Sequence, residues 1–237
     1  MRAAPKSPAE RIVVALDLPD LDSVQRMVDA TAETIRTYKV GGRLFTAEGP
    51  EAVARVQAAG AQVFLDLKYH DIPNTVAESV AAARDLGVAW LTVHASGGPA
   101  MLEAAARAAG DQLVVLAVTV LTSLDEQDIR SVGVVGDIPS LVARRASLAV
   151  QAGCQGLVCS PQEAGMLREA LGPKPLLITP GIRPAGAATG DQKRSATPCA
   201  AVASGADYLV IGRPITQSSD PAAAVAAILA ELEAAPP

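Results

Sequence analysis

The stretch Phe64-Leu65-Asp66-Leu67-Lys68-Tyr69-His70-Asp71-Ile72-Pro73-Asn74-Thr75-Val76 sets three ionisable side chains, Asp66, Lys68 and Asp71, at the exit of an apolar run. Val63 to Leu67 has the make-up of a buried strand, and strand side chains alternate between faces. Asp66 and Lys68 therefore point one way, Leu65 and Leu67 the other. Ionised groups are expensive to bury unless they are paired. Carboxylate, ammonium and carboxylate at a strand exit form an alternating charge array suited to proton chemistry. Alone, a D-x-K would read as a structural ion pair. Its meaning depends on what the rest of the chain brings to it.

Working outward, strand-like runs fall near Ile12–Asp17, Tyr38–Val40, Val63–Leu67, Trp90–His94, Leu113–Thr119, Gly156–Cys159, Leu176–Thr179 and Tyr208–Ile211. Several are rich in Val, Ile and Leu without alternation, as parallel strands covered on both faces are. Helix punctuation fills the gaps. Ser160-Pro-Gln-Glu163 is a capping box with proline at the first helical position, and Gly172 closes that helix. Thr197-Pro198 opens a short helix ended by Gly205, and Asp220-Pro221 opens the last. Leu21, Val24, Met27, Val28 and Ile35 follow helical spacing. So do Glu51 to Ala59, stopped by Gly60, and Thr75 to Leu86, stopped by Gly87.

Eight β-then-α units in 237 residues predict an α/β protein, a single-domain (β/α)8 TIM barrel over residues 11–237. Residues 1–10 read as an N-terminal extension with the composition of a disordered segment. A doubly wound sheet would place a G-x-G-x-x-G turn after its first strand, where this chain has Val13-Val-Ala-Leu-Asp17-Leu-Pro19.

Composition narrows the function. Half of the residues are hydrophobic, enough for one well-buried core, and the net charge is −5. Acidity, 3% aromatic residues and the lack of a basic cluster argue against a nucleic-acid partner. The three cysteines, Cys154, Cys159 and Cys199, have no C-x-x-C spacing and read as reduced thiols of a cytoplasmic protein. No run approaches a membrane span or a signal peptide. His70 and His94 lack ligand-like spacing, which argues against a soft-metal site. Lys39 and Lys68 would compete with Mg²⁺ for the carboxylates, so no metal is expected.

Barrel chemistry sits where strands end. There the first strand delivers Asp17, the second Lys39, and the third Asp66 and Lys68 with Asp71 beyond. The fourth delivers His94, which is expected to pack or hydrogen-bond at the strand end. Leu121-Thr-Ser123 follows the fifth. The seventh exits at Thr179-Pro-Gly-Ile-Arg183 and the eighth at Ile211-Gly-Arg213. Three carboxylates and two lysines at converging strand ends would each lose solvation worth several kcal/mol, which points to function. Gly181, Gly212 and Arg213 suit a phosphate, since barrels often bind one beyond strands seven and eight. Pro184 to Gly190, followed by Asp191-Gln192, reads as a lid.

Taken together, these blocks resemble the orotidine 5′-phosphate decarboxylase family. Phe64 to Thr75 matches its signature. Val14-Ala-Leu-Asp17, Lys39-Val-Gly41, Val93-His-Ala-Ser-Gly-Gly98, Ala117 to Ser123, Thr179 to Arg183, Gly190-Asp-Gln192 and Val210-Ile-Gly-Arg213 match its other blocks in order. The resemblance runs from Arg11 to Leu232. It implies cofactor-free decarboxylation of orotidine 5′-phosphate to UMP and CO₂, the last step of de novo UMP synthesis. It also implies that Lys68 protonates C6 while Asp66 lies against the substrate carboxylate. Lys39 and Asp71 complete a Lys-Asp-Lys-Asp network, and Asp71 and Thr75 come from the other subunit of a homodimer. Asp17 and Lys39 would hold the ribose, Thr122 and Ser123 the pyrimidine. Gln192, Gly212 and Arg213 would hold the phosphate, with Arg183 anchoring the lid. The nearest alternatives are the Mg²⁺-dependent 3-keto-gulonate 6-phosphate decarboxylases and hexulose phosphate synthases, which share D-x-K-x-x-D. The Thr179-Pro-Gly-Ile-Arg183 and Leu121-Thr-Ser123 segments favour the nucleotide. A catalytically dead nucleotide binder would be expected to lack Asp66 or Lys68, and both are present.

Overall fold

The structure is a computed structural model and describes residues 5–184 and 194–234. Eight parallel strands close a barrel in sequence order: β1 (Ile12–Ala15), β2 (Thr37–Gly41), β3 (Gln62–Tyr69), β4 (Trp90–His94), β5 (Val114–Val118), β6 (Gly156–Val158), β7 (Leu176–Thr179) and β8 (Tyr208–Ile211). β1 pairs with both β2 and β8, so no strand edge is left open.

Two apolar bodies hold the barrel. Every second strand residue faces inward, and Val13, Phe64, Trp90, Leu116, Ile178, Tyr208 and Val210 fill the interior. Trp90 makes edge contacts with Phe64 and Tyr208 at ring-centre distances of 5.7 and 4.6 Å. The alternate residues face the helices. Leu65 is fully buried among them and Leu67 packs against the same cluster. Runs apolar at every position therefore mark strands with two dry faces.

The helices begin where their capping residues require. Ser160 and Glu163 form a reciprocal capping box for Pro161–Leu171, and Gly172 closes it. Asp20, Asp137, Thr197 and Asp220 each accept a first-turn amide of the helix they open. The helix expected from Thr75 begins earlier, at Pro73. Ile72 is extended, and the fixed φ of proline suits the first helical position. Ile35 lies beyond Leu21–Thr31 yet is fully buried, so its apparent helical spacing reflects core packing after the helix ends.

The described part of the N-terminal extension includes a short 3-10 turn at Ala9–Arg11. Arg11 donates from there to the carbonyls of Ala206 and Asp207. Among the described residues no helix is long and apolar enough to cross a membrane.

Candidate active site

The charged strand ends meet in a cavity of about 690 Å³ at the C-terminal mouth of the barrel. Asp66 stands on β3 one inward position above Phe64, so the array rests on the aromatic interior. Lys39 on β2 bridges two carboxylates, Asp17 at 3.0 Å and Asp66 at 3.4 Å. Lys68 closes on the other Asp66 oxygen at 2.8 Å. The Lys39 and Asp66 side chains are only 9% and 11% exposed, while Lys68 is 35% and Asp17 58% exposed. All four line the cavity, the central two far less exposed than the outer two.

Their electrostatics follow from that burial. Desolvation alone would push Lys39 down, but Asp66 and Asp17 outweigh it and hold the ammonium above its ordinary value. Desolvation would likewise push Asp66 up. Lys39 and Lys68, with hydrogen bonds from Lys68 and Thr92, outweigh it and keep the carboxyl below its usual range. Each group is therefore held in its charged form by its neighbours.

Gly41 explains the K-V-G segment. A Cβ there would sit 2.7 Å from Asp17 Oδ1 and 2.9 Å from Lys39 Nζ, in the space occupied by the ion pair.

Asp66 and Lys68 meet as alternation predicts, but the strand between them is irregular. β3 pairs with β4 through Leu65↔Leu91 and then Tyr69↔Val93, so three β3 residues lie opposite Thr92 alone. Lys68 takes φ +52°, the only positive φ outside glycine among the described residues. Thr92, fully buried, accepts the Lys68 amide at 2.9 Å and donates to Asp66 Oδ1 at 2.9 Å. Thr92 is a contributor to the array that sequence reasoning passed over. Its signal is a hydroxyl at an inward position between Trp90 and His94 of a largely apolar strand.

Thr122, Ser123, Arg183, Gly212 and Arg213 line the other walls of the cavity. Gly181, at φ +80°, turns the chain out of β7 in a conformation that favours glycine. Ile182 pairs with Ala196 as an isolated bridge, and Arg183 donates to the Ile182 carbonyl. Arg194 pairs with Glu163 and donates to the Leu121 carbonyl, tying the segment after β7 to the loop after β5. Gln192 and most of the expected lid lie outside the described residues.

Asp71 and Thr75 are not drawn into this cavity. Both are exposed on the barrel rim, where the Asp71 carboxylate accepts the Ile72 amide. His94 lies against His70 with ring centres 5.5 Å apart and planes tilted by 44°, and burial, reinforced by His70, Lys68 and Arg145, pushes it down. The cysteines are free thiols, and burial pushes Cys154 up to about 12 and Cys159 higher still. Among the described residues no group of three or more His, Cys, Asp or Glu is arranged to hold a metal ion.

Comparison with known proteins decides the family. The model of the orotidine 5′-phosphate decarboxylase / HUMPS family matches residues 10–228. The chain belongs to that family. An orotidine 5′-phosphate decarboxylase of Anaeromyxobacter sp. (strain K) is 53% identical over 225 residues, covering 95% of this chain and 99% of its own. Its counterpart from Thermobifida fusca is 54% identical over 226 residues, covering 95% and 97%. The crystal structure of orotidine 5′-phosphate decarboxylase from Lactobacillus acidophilus superposes with a TM-score of 0.83 at 36% identity, covering 95% of this chain and all of that one. The family's fold is thus the barrel described above, and the cavity lies at the mouth where such barrels carry their chemistry.

Proposed function

We propose that this chain decarboxylates orotidine 5′-phosphate to UMP and CO₂ without a metal or cofactor, completing de novo UMP synthesis. The observation that carries the proposal is the Asp17–Lys39–Asp66–Lys68 array, in which a cavity-facing ammonium is fixed 2.8 Å from a buried carboxylate. Relatives that are half identical over nearly the whole chain bear the decarboxylase name.

Loss of CO₂ from C6 leaves the bonding pair on a ring carbon with no adjacent carbonyl to delocalise it. A positive charge fixed nearby stabilises that carbanion. Lys68 then gives its proton to C6, and the neutral amine takes another from solvent. Asp66, held ionised by its neighbours, faces the departing carboxylate and orients Lys68. Lys39 and the more exposed Asp17 take the ribose hydroxyls. Thr122 and Ser123 take the pyrimidine. Gln192, Gly212 and Arg213 serve the phosphate, whose binding energy, spent far from C6, favours closure of the site, with Arg183 anchoring the lid. Asp71 and Thr75 act in the site of a second subunit.

The test is the ultraviolet absorbance change of orotidine 5′-phosphate with purified protein and EDTA. Conversion to UMP in EDTA is the expected result. No conversion by folded protein, with or without Mg²⁺, would overturn the proposal. Activity only with Mg²⁺ and a sugar phosphate would transfer the site to the alternative decarboxylase or synthase chemistry.

A further inference from the structure

We propose that Thr92 is a positioning residue whose hydroxyl sets the aim of the Lys68 ammonium against Asp66. This rests on the decarboxylase reading and adds to it a residue that never touches substrate.

The need arises in the backbone. Where Asp66, Leu67 and Lys68 lie opposite Thr92 alone, β3 carries two more residues than β4. Such an irregularity interrupts the regular ladder and re-aims side chains. Lys68 turns into the left-handed region, which a non-glycine residue holds only when its surroundings impose it. Its amide bonds to Thr92 Oγ1 at 2.9 Å, a side-chain oxygen in place of a strand carbonyl.

That hydroxyl has one hydrogen, and Asp66 Oδ1 receives it at 2.9 Å. The same oxygen receives Lys68 Nζ at 2.8 Å. A closed circuit results: Lys68 amide to Thr92 hydroxyl, hydroxyl to Asp66, and Lys68 ammonium back to Asp66. Only a side chain that accepts and donates at once completes it. A β-branched residue, stiff about χ1, holds the hydroxyl in one direction. Thr92 is fully buried, so its influence on substrate passes through Asp66 and Lys68.

Three proteins test this: wild type, Thr92→Val and Thr92→Ser. Valine keeps the volume and removes the hydroxyl, while serine keeps the hydroxyl. For Thr92→Val we expect kcat to fall roughly ten- to a hundredfold with KM little changed. The acid limb of the rate profile should move up as Asp66 loses a donor. Thr92→Ser should recover most of the rate and return the acid limb. A folded valine variant with unchanged kcat and acid limb would overturn the proposal, as would a serine variant equally impaired. Amide hydrogen exchange in ligand-free wild type gives a reading independent of the variants. Protection of the Lys68 amide matching that of barrel amides is expected, and exchange at the rate of an exposed amide would overturn the bond. Because that measurement uses no substrate, it still decides the role of Thr92 in holding Lys68 if wild type leaves orotidine 5′-phosphate unchanged, an outcome that sinks only the decarboxylase reading.

Discussion

An ammonium 2.8 Å from the Asp66 carboxylate and facing the cavity gives Lys68 both a charge and a proton to offer. General acid catalysis contributes about 10²–10⁴-fold, and Lys68 also supplies the local positive charge, so Lys68→Ala should lose at least about 10³-fold in turnover. UMP should still bind, because the ribose and phosphate partners remain. Stopped-flow turnover and UMP titration check the two halves, and near-normal turnover would remove Lys68 from the chemistry. Gly41 makes a subtler case. A Cβ there meets only the far ends of the Asp17 and Lys39 side chains and no backbone. Gly41→Ala should therefore change stability by less than about 1 kcal/mol while lowering kcat/KM tenfold or more. If denaturation and activity fell in step, the glycine would be serving the fold and not the ion pair.

Among the elements, the helix Pro161–Leu171 ties the fold to the site. One Glu163 oxygen accepts the Ser160 amide in the capping box, and the other meets Arg194, which also holds the Leu121 carbonyl just before Thr122 and Ser123. Both side chains are buried. Removing one member of such a pair strands the other, so Glu163→Ala should cost roughly 3–5 kcal/mol in urea unfolding. A loss below about 1 kcal/mol would mean that Arg194 finds water instead. The two halves of this arrangement differ in legibility. The capping box is a local spacing and can be read directly from Ser160-Pro-Gln-Glu163. Its partner Arg194 lies across the fold, and no local spacing announces it. Strand positions were similarly legible because two-sided burial leaves unbroken apolar runs. The two-residue excess of β3 over β4 was not, since register belongs to the pair and not to either strand. The role of Thr92 is illegible for the same reason: it arises only because the Lys68 amide bonds to a side-chain oxygen and not to a strand carbonyl.

For the molecule as a whole, the charge array assembles within one chain, while Asp71 and Thr75 stand exposed on the rim. If a twofold partner receives them, inactive Lys68→Ala and Asp71→Ala chains should complement each other. Random exchange makes half the dimers mixed, and each mixed dimer holds one intact site, so roughly a quarter of wild-type activity should return. Demonstrated subunit exchange without recovery would confine the site to one chain. The closed barrel has one more consequence. Phe64, Trp90 and Tyr208 plug the bore beneath the array. Among the described residues the site is thus a well closed at its base with its doorway at the barrel mouth, and on the decarboxylase reading the gas formed at its bottom leaves by the route the nucleotide took in. Anything that shuts that doorway against water also detains the carbon dioxide beside the carbon it has just left.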